Sequence, residues 1–295
     1  MNENRSRAVE ILATGPLALI QDLGRPGLAA LGISRSGAAD RGALRLANRL
    51  LANDEDAAAI EVLLGGLAMR PITDLLVAVT GADAPITIEG RTAPHHSVLH
   101  VRAGEVLTIG TATRGLRAYV AVRGGLAVPP VLGSRSRDTL SGVGPAPLQA
   151  GQTLPIGHPP SAYPVVASVS VRHSKGCEAV LPVSPGPRMD WISDVQELVG
   201  AKWHVSDRSD RIGVRLEGPQ LRRPRGLAGQ ELPSEGLVRG AVQLPPGGGP
   251  VVFGPDHPTT GGYPVVLVLG STAADRAAQL RPGDVVRFAL RTDEK

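Results

Sequence analysis

Three times the chain places a small residue or proline, a glycine and a polar residue ahead of an apolar run: Ala103-Gly104-Glu105, Ala150-Gly151-Gln152 and Pro282-Gly283-Asp284. Such glycine turns feeding short apolar segments punctuate β structure, because glycine enters the positive-φ conformations of tight turns without a Cβ penalty. The runs Leu75 to Thr80, Pro85 to Glu89, Ser97 to Val101, Val106 to Ile109 and Leu116 to Val122 are likewise bounded by turn residues, and Ile60 to Leu64 stops at Gly65 and Gly66. Strands this numerous and this short expose many edges, and closing or nearly closing the sheets removes them. Aromatic residues make up only 2% of the chain, so the core has to be built from Val, Leu, Ile and Ala. The expectation is a mainly β protein.

At 295 residues the chain exceeds the usual size of one hydrophobic core, which favours two domains. The proline-rich stretch His158 to Pro164 is the best linker, since prolines cannot donate to a strand ladder. A first domain over residues 1–160 and a second over 165–295 follow. In the first, Ile11 to Leu23 reads as a strand broken at Gly15 and Pro16. Asp40 is placed to cap a helix over Arg41 to Leu51, whose Leu44, Leu46, Ala47, Leu50 and Leu51 give an apolar stripe of helical spacing. In the second, strands are expected at Val165 to Val171, Ala179 to Val183, Ala241 to Leu244, Val251 to Phe253, Pro264 to Leu269 and Asp284 to Leu290, with a helix near Trp191 to Val199.

Several chemistries are disfavoured. The net charge of +4 is spread along the chain among carboxylates, and only Arg222, Arg223 and Arg225 cluster. With so few aromatics for base stacking, nucleic acid is not an expected partner. Cys177 is the single cysteine, so no intrachain disulfide forms and a reducing compartment fits. The N-terminal residues lack the apolar run of a signal peptide and no segment is long enough to span a bilayer, so the cytoplasm is expected and a membrane is not. None of Lys175, Lys202 and Lys295 sits in a phosphate loop, and no G-x-S-x-G elbow exists. His95, His96 and His100 lack metal-ligand spacing, so no metal is expected there, and His173 and His204 read as structural.

The richest polar stretch is Ser206 to Pro264. Alternation along Ile212 to Glu217 predicts a half-buried strand, with Ile212, Val214 and Leu216 on one face and Arg211, Arg215 and Glu217 on the other. The loop Gly254 to Pro264 then gathers Asp256, His257, Thr259, Thr260 and Tyr263, with Gly261 and Gly262 allowing close backbone approach. Asp256 suits a base, and the hydroxyls of Thr259, Thr260 and Tyr263 suit an amide or carboxylate. The same TTGGYP run also reads as a tight turn into the next strand, and residue types alone leave both readings open. A second polar, glycine-rich loop runs from Asp22 through Arg25 and Ser36 to Asp40, where Asp40 serves equally as a cap or as a catalytic group.

In their order and number, IQDLGRPG (20–27), SGAAD (36–40), ANRLLANDEDAAAIEVLLGG (47–66), TGAD (80–83), GSRS (133–136), SDRIGVRLEGP (209–219), SEGLVRGAVQLPPGG (234–248), TTGGYP (259–264) and LRPGD (280–284) are specific. Over nearly its whole length the chain resembles the carboxyltransferase-like family that includes the C subunit of 5-oxoprolinase, KipA and allophanate hydrolase subunit 2. The resemblance implies two cyclophilin-like β-barrel domains and a cytoplasmic subunit that works with a KipI-like B subunit and a third, A subunit. It implies an ATP-dependent opening of the 5-oxoproline lactam to glutamate, with ATP and Mg acting at the level of the complex. Under it Asp256, Arg211 and Tyr263 are the expected catalytic residues, and Asp22, Arg25, Arg135, Arg215, Gln243, Thr259 and Thr260 the expected substrate-binding ones. Two alternatives stand beside it: carboxyl transfer to urea or a related amide from biotin carried by a partner, and a KipA-like binding protein without chemistry. His257 and Pro258 stand where family members carry Arg and Gln.

Overall fold

A computed structural model describes residues 7–171, 178–227, 229–247 and 249–291. His173, Lys175, Cys177, Gly248 and Lys295, all named above, lie outside the described residues. By its internal contacts the chain divides into two units: residues 1–25 with 36–172, and residues 26–35 with 173–295. Between Arg25 and Ser36 the chain therefore leaves the first unit and returns to it. No helix among the described residues is long and apolar enough to cross a membrane.

The first unit contains two antiparallel sheets. One runs Thr153–Pro155, Ala8–Thr14, Leu67–Pro71, Leu107–Ile109, Ile86–Ile88, Arg91–Ala93; the other runs Leu17–Gln21, Ala59–Leu63, Arg114–Val122, Leu75–Asp83, Val98–Val101. Val9, Ile11, Met69 and Leu107 of the first sheet share a core with Ile20, Ile60, Val62, Val77, Val79, Val120 and Val122 of the second. The period-two pleat sends the intervening residues to the other face. There Ala59, Ala78, Tyr119 and Ala121 meet Leu44, Ala47 and Leu50 of the helix Arg41–Leu50. That helix begins as expected, with the Asp40 carboxylate accepting from Ala43 N at 2.9 Å.

The expected linker does not swing free of this unit. Ala167 O accepts from Val98 N and His96 O from Val169 N, so residues 167–169 run antiparallel beside an edge strand. Arg123 donates to Pro160 O and Ala162 O and stacks its guanidinium on the Tyr163 ring. Only the Ser97–Ser168 bridge forms there, so the strand expected over Val165 to Val171 is reduced to a short pairing.

The second unit holds a closed seven-stranded barrel. Around it come Glu178–Pro185, Val265–Leu269, Ala241–Gln243, Val251–Phe253, Gly213–Glu217, Trp203–Val205 and Val285–Leu290. The last strand lies parallel to the first, pairing Glu178 with Val285 through Val183 with Leu290, and this closes the ring. All other pairings are antiparallel. Trp203 fills the interior with Leu181, Val183, Val214, Leu216, Val252, Val266, Leu267 and Phe288. Closure, expected of both β domains, is complete here, whereas the first unit is two facing sheets around one core. The helix expected near Trp191 to Val199 is a turn at Met189–Trp191 followed by a helix over Val195–Gly200. Asp194 caps that helix by accepting from Gln196 N at 2.8 Å.

Candidate functional site

Arg215 and Glu217 point outward from the strand Gly213–Glu217, while Val214 and Leu216 are buried, in keeping with the alternation. Arg211 breaks the pattern. It precedes the strand, so the pleat does not set its direction, and its side chain turns inward rather than outward. It meets Asp256 with Nε on Oδ2 at 2.8 Å and a terminal nitrogen on Oδ1 at 3.1 Å, the side chains being only 4% and 0% exposed. This is the two-pronged arginine–carboxylate fork. The backbones are joined as well, Asp256 N donating to Arg211 O and Gly254 N to Ile212 O. A Cβ at Gly254 would lie 2.2 Å from Arg211 O, so only glycine permits this approach. Both carboxylate oxygens of Asp256 are thus engaged by a guanidinium, out of reach of solvent. The pair, expected to act in the chemistry, joins the stretch before Gly213 to the start of the loop Gly254 to Pro264.

That loop carries the exposed groups. His257 is buried against Phe253, with Nδ1 2.8 Å from Pro258 O. Thr260–Gly261 pairs with Glu235–Gly236, and Thr259 O accepts from Leu237 N. Gln243 is buried and donates to Tyr263 O at 2.9 Å, holding the end of the loop instead of facing solvent. Thr260 and Tyr263 are exposed, Tyr263 by 46%, and Thr259 is half-buried. Arg188 forks onto Glu235, holding the Glu235 carboxyl below its ordinary range chiefly through this hydrogen bond.

In the first unit Asp22 is the centre of a second cluster. Its Oδ1 accepts from Gly24 N at 2.8 Å, from the Ser134 hydroxyl at 2.6 Å and from the Ser136 hydroxyl, and its Oδ2 accepts from Arg135 N at 2.5 Å. Ser136 Oγ accepts from Asp22 N in return, and Arg25 donates to Ser136 O. The IQDLGRPG and GSRS stretches, more than 100 residues apart in sequence, are therefore one hydrogen-bonded knot. SGAAD joins it: Ala38 N donates to Asp22 O at 2.8 Å, and Ser36 Oγ donates to Arg137 O at 3.2 Å. Gly37, at φ +97°, has room for no side chain, since a Cβ would lie 2.8 Å from Gly24 N.

Asp22, Arg25 and Arg135, the residues expected to bind substrate, lie together in this knot, with Asp22 at its centre. Arg25 is buried, with one terminal nitrogen on Ser136 O. Arg135 is half-buried, uses Nε on Val128 O at 2.7 Å, and its terminal nitrogens make no hydrogen bond to the described residues. Arg215 is exposed and its guanidinium is similarly uncommitted among the described residues. Asp210, Ser206 and Arg208 arrange the approach to its strand. Ser206 Oγ donates to Glu217 at 2.6 Å, and this bond, with Arg208 beside it, holds the Glu217 carboxyl below its ordinary range.

Sequence reasoning passed over Glu61, Tyr119 and Arg117. Glu61 sits in the apolar strand Ala59–Leu63, on the face turned to the helix, directly across from Tyr119 in the ladder. The Tyr119 hydroxyl donates to Glu61 Oε2 at 2.7 Å and accepts from Asp40 N at 2.7 Å. Glu61 Oε2 also accepts from Ala39 N at 2.9 Å, and Arg117 Nε lies 3.6 Å from Oε1. Complete burial first, then the negative charges of Glu61 and Asp40, push the Tyr119 hydroxyl well above its ordinary pKa of 10.0. A signal was available: one carboxylate inside AIEVLL cannot be buried without a partner.

The family model for the carboxyltransferase domain, subdomain A and B, matches residues 31–290. The chain is 34% identical to the C subunit of 5-oxoprolinase from Escherichia coli (strain K12) across 293 residues, covering 95% of this chain and 90% of that one. It is 32% identical to urea amidolyase of Saccharomyces cerevisiae, again over 95% of this chain but only 16% of the yeast protein. Among solved structures, Kluyveromyces lactis urea carboxylase superimposes with a TM-score of 0.91 at 28% identity, over 99% of this chain and 28% of that one.

Proposed function

This chain belongs to the family of carboxyltransferase domains made of subdomains A and B, and on that premise we propose that it is the C subunit of an ATP-dependent 5-oxoprolinase. One observation carries the reading: the likeness to the Escherichia coli C subunit runs through nearly the full length of both chains. In the proposed reaction the oxygen of a water molecule bonds to the lactam carbonyl carbon as the C–N bond breaks, the nitrogen takes up the protons to become an ammonium group, a carboxylate is left, and ATP hydrolysis drives the opening. Substrate and product are carboxylates, which an arginine fork recognises better than a lysine.

The residues that fit this task are those with uncommitted donors. In the first unit Arg135 offers terminal guanidinium nitrogens; in the second, taken by itself, Arg215 does the same, and the hydroxyls of Thr259, Thr260 and Tyr263 are carried by the loop that follows the Arg211–Asp256 pair. Arg25, Asp22 and Gln243 hold these segments in shape. The described glycine loops carry no lysine, and the guanidinium groups of Arg117, Arg123 and Arg211 are turned onto protein acceptors. ATP with Mg, the KipI-like B subunit and the third, A subunit belong to the complex in this reading, and the cytoplasm is its compartment.

The test is to assemble the chain with its cognate partner subunits and measure 5-oxoproline-dependent ATP hydrolysis. Arg135→Ala is expected to lower kcat/KM by about 10- to 100-fold, the effect of removing a charged hydrogen bond. A complete complex with no 5-oxoproline-dependent hydrolysis overturns the reading. The likeness to urea carboxylase favours a second one, carboxyl transfer from a partner's carboxybiotin to urea or a related amide. It calls for carboxybiotin decay that depends on urea and on this chain. A complex that forms normally and supports neither reaction leaves a KipA-like binding role.

A further inference from the structure

Three successive amides of the SGAAD stretch are taken up by three different partners. Ala38 N donates to Asp22 O at 2.8 Å, Ala39 N to Glu61 Oε2 at 2.9 Å and Asp40 N to the Tyr119 hydroxyl at 2.7 Å. The first partner belongs to the knot that carries Arg135, whose own amide donates to Asp22 Oδ2. The other two belong to the sheet beneath the helix, where Glu61 and Tyr119 are cross-strand neighbours and the Tyr119 hydroxyl donates to the Glu61 carboxylate. A continuous path of polar contacts thus leads from Arg117 through Glu61 and Tyr119 to the loop, on to Asp22, and so to the backbone of Arg135.

The loop is not held by local preference. Ser36 adopts φ 53° and Gly37 φ 97°, and for Ser36 this is a conformation that a chain keeps only when its surroundings impose it. Nor is a glutamate retained in an apolar strand for packing. Buried ionic groups contribute little net stability compared with apolar residues of the same volume, so net stability alone does not account for Glu61. Here the geometry imposed is that of two amides at the start of the helix and of the loop between them and Asp22.

We propose that Glu61 and Tyr119 are positioning residues, which set the loop Ser36–Asp40 and through Asp22 the presentation of Arg135 to the substrate carboxylate. The proposal rests on the reading of Arg135 given above for its functional consequence, and on geometry alone for its structural one. Neither residue touches substrate.

The experiment uses Tyr119→Phe and Glu61→Gln, both close in shape to the native side chains, in the full chain and in the assembled complex. Amide hydrogen exchange of the chain reads the path without reference to any reaction. The expected result is exchange about tenfold faster or more at Ala39 and Asp40, extending to Gly24, Arg135 and Ser136, with the barrel amides unchanged, as follows from losing one net hydrogen bond. In the active complex, KM for 5-oxoproline is expected to rise about tenfold while kcat changes less than about twofold, the pattern of lost binding geometry. Faster exchange confined to Ala39 and Asp40, with Gly24, Arg135 and Ser136 as in the wild type, overturns the proposal. So does a KM equal to the wild type's in an active complex. If the exchange result is as expected and the wild-type complex has no 5-oxoproline-dependent hydrolysis, the positioning path stands and the oxoprolinase reading falls.

Discussion

Asp256→Asn isolates what the buried fork does. The substitution keeps the shape of the side chain and removes its charge, leaving the Arg211 guanidinium inside the protein without its ionic partner. The native contacts are 2.8 and 3.1 Å between side chains that are 4% and 0% exposed, so water does not rescue the stranded cation. Breaking such a pair from one side costs about 3–5 kcal/mol, a large part of the ~5–15 kcal/mol that holds a domain folded. Trp191 and Trp203 are the chain's two tryptophans and both belong to the second unit, so intrinsic fluorescence during urea unfolding reports on that unit. The paired replacement Arg211→Met with Asp256→Leu removes both charges and is expected to recover most of the loss, because a buried ion pair contributes little net stability over apolar groups. A change below about 0.5 kcal/mol for Asp256→Asn, or a double variant as unstable as the single one, refutes this account of the pair.

Gly254→Ala places a Cβ 2.2 Å from Arg211 O and is expected to destabilise the same fluorescence transition by about 1–3 kcal/mol, through strain at one junction. The folded-state pKa of Tyr119 is raised, so its contribution is fully present below the unfolded value of about 10 and is lost as pH climbs through the folded value. Tyrosinate absorbance in the wild type should show one late-titrating hydroxyl that Tyr119→Phe removes, and alkaline unfolding of the first unit should lose its dependence on that group. For Glu235 the sign is opposite. Its depressed carboxyl pKa favours folding above the ordinary value of 4.5, and that contribution fades as pH falls through the folded value. Glu235→Gln is therefore expected to flatten the acid dependence of amide exchange at Leu237 and Gly261, which lie in or beside the short pairing of Glu235–Gly236 with Thr260–Gly261.

Local signals placed the elements with few displacements. The run Val251–Phe253 forms the strand expected of it, and Asp40 caps its helix because the cap needs only residues within one turn. Loops marked by the recognised stretches are also where the polar clusters lie. What those clusters do was less legible. Arg211 and Asp256 are 45 residues apart, and nothing within either stretch announces that each is the other's partner. Alternation put Arg211 on the outer face, but the ladder starts at Gly213, and ahead of it the side chain answers to Asp256 instead of the pleat.

Glu61 shows the same division from the other side. Its strand follows from the apolar run AIEVL, and a buried carboxylate there demands compensation. Which groups compensate it depends on a ladder register that sets Tyr119 opposite and on a helix that brings Ala39 and Asp40 within reach. The amino-acid sequence by itself determined a mainly β chain punctuated by glycine, the helix with its cap, and the loops that carry polar residues, because these depend on sterics and periodicity over a few residues. Only the tertiary structure decided which arginines and carboxylates neutralise one another in the interior and which are left facing outward, because charge pairing is settled by distances between segments that the chain brings together only on folding.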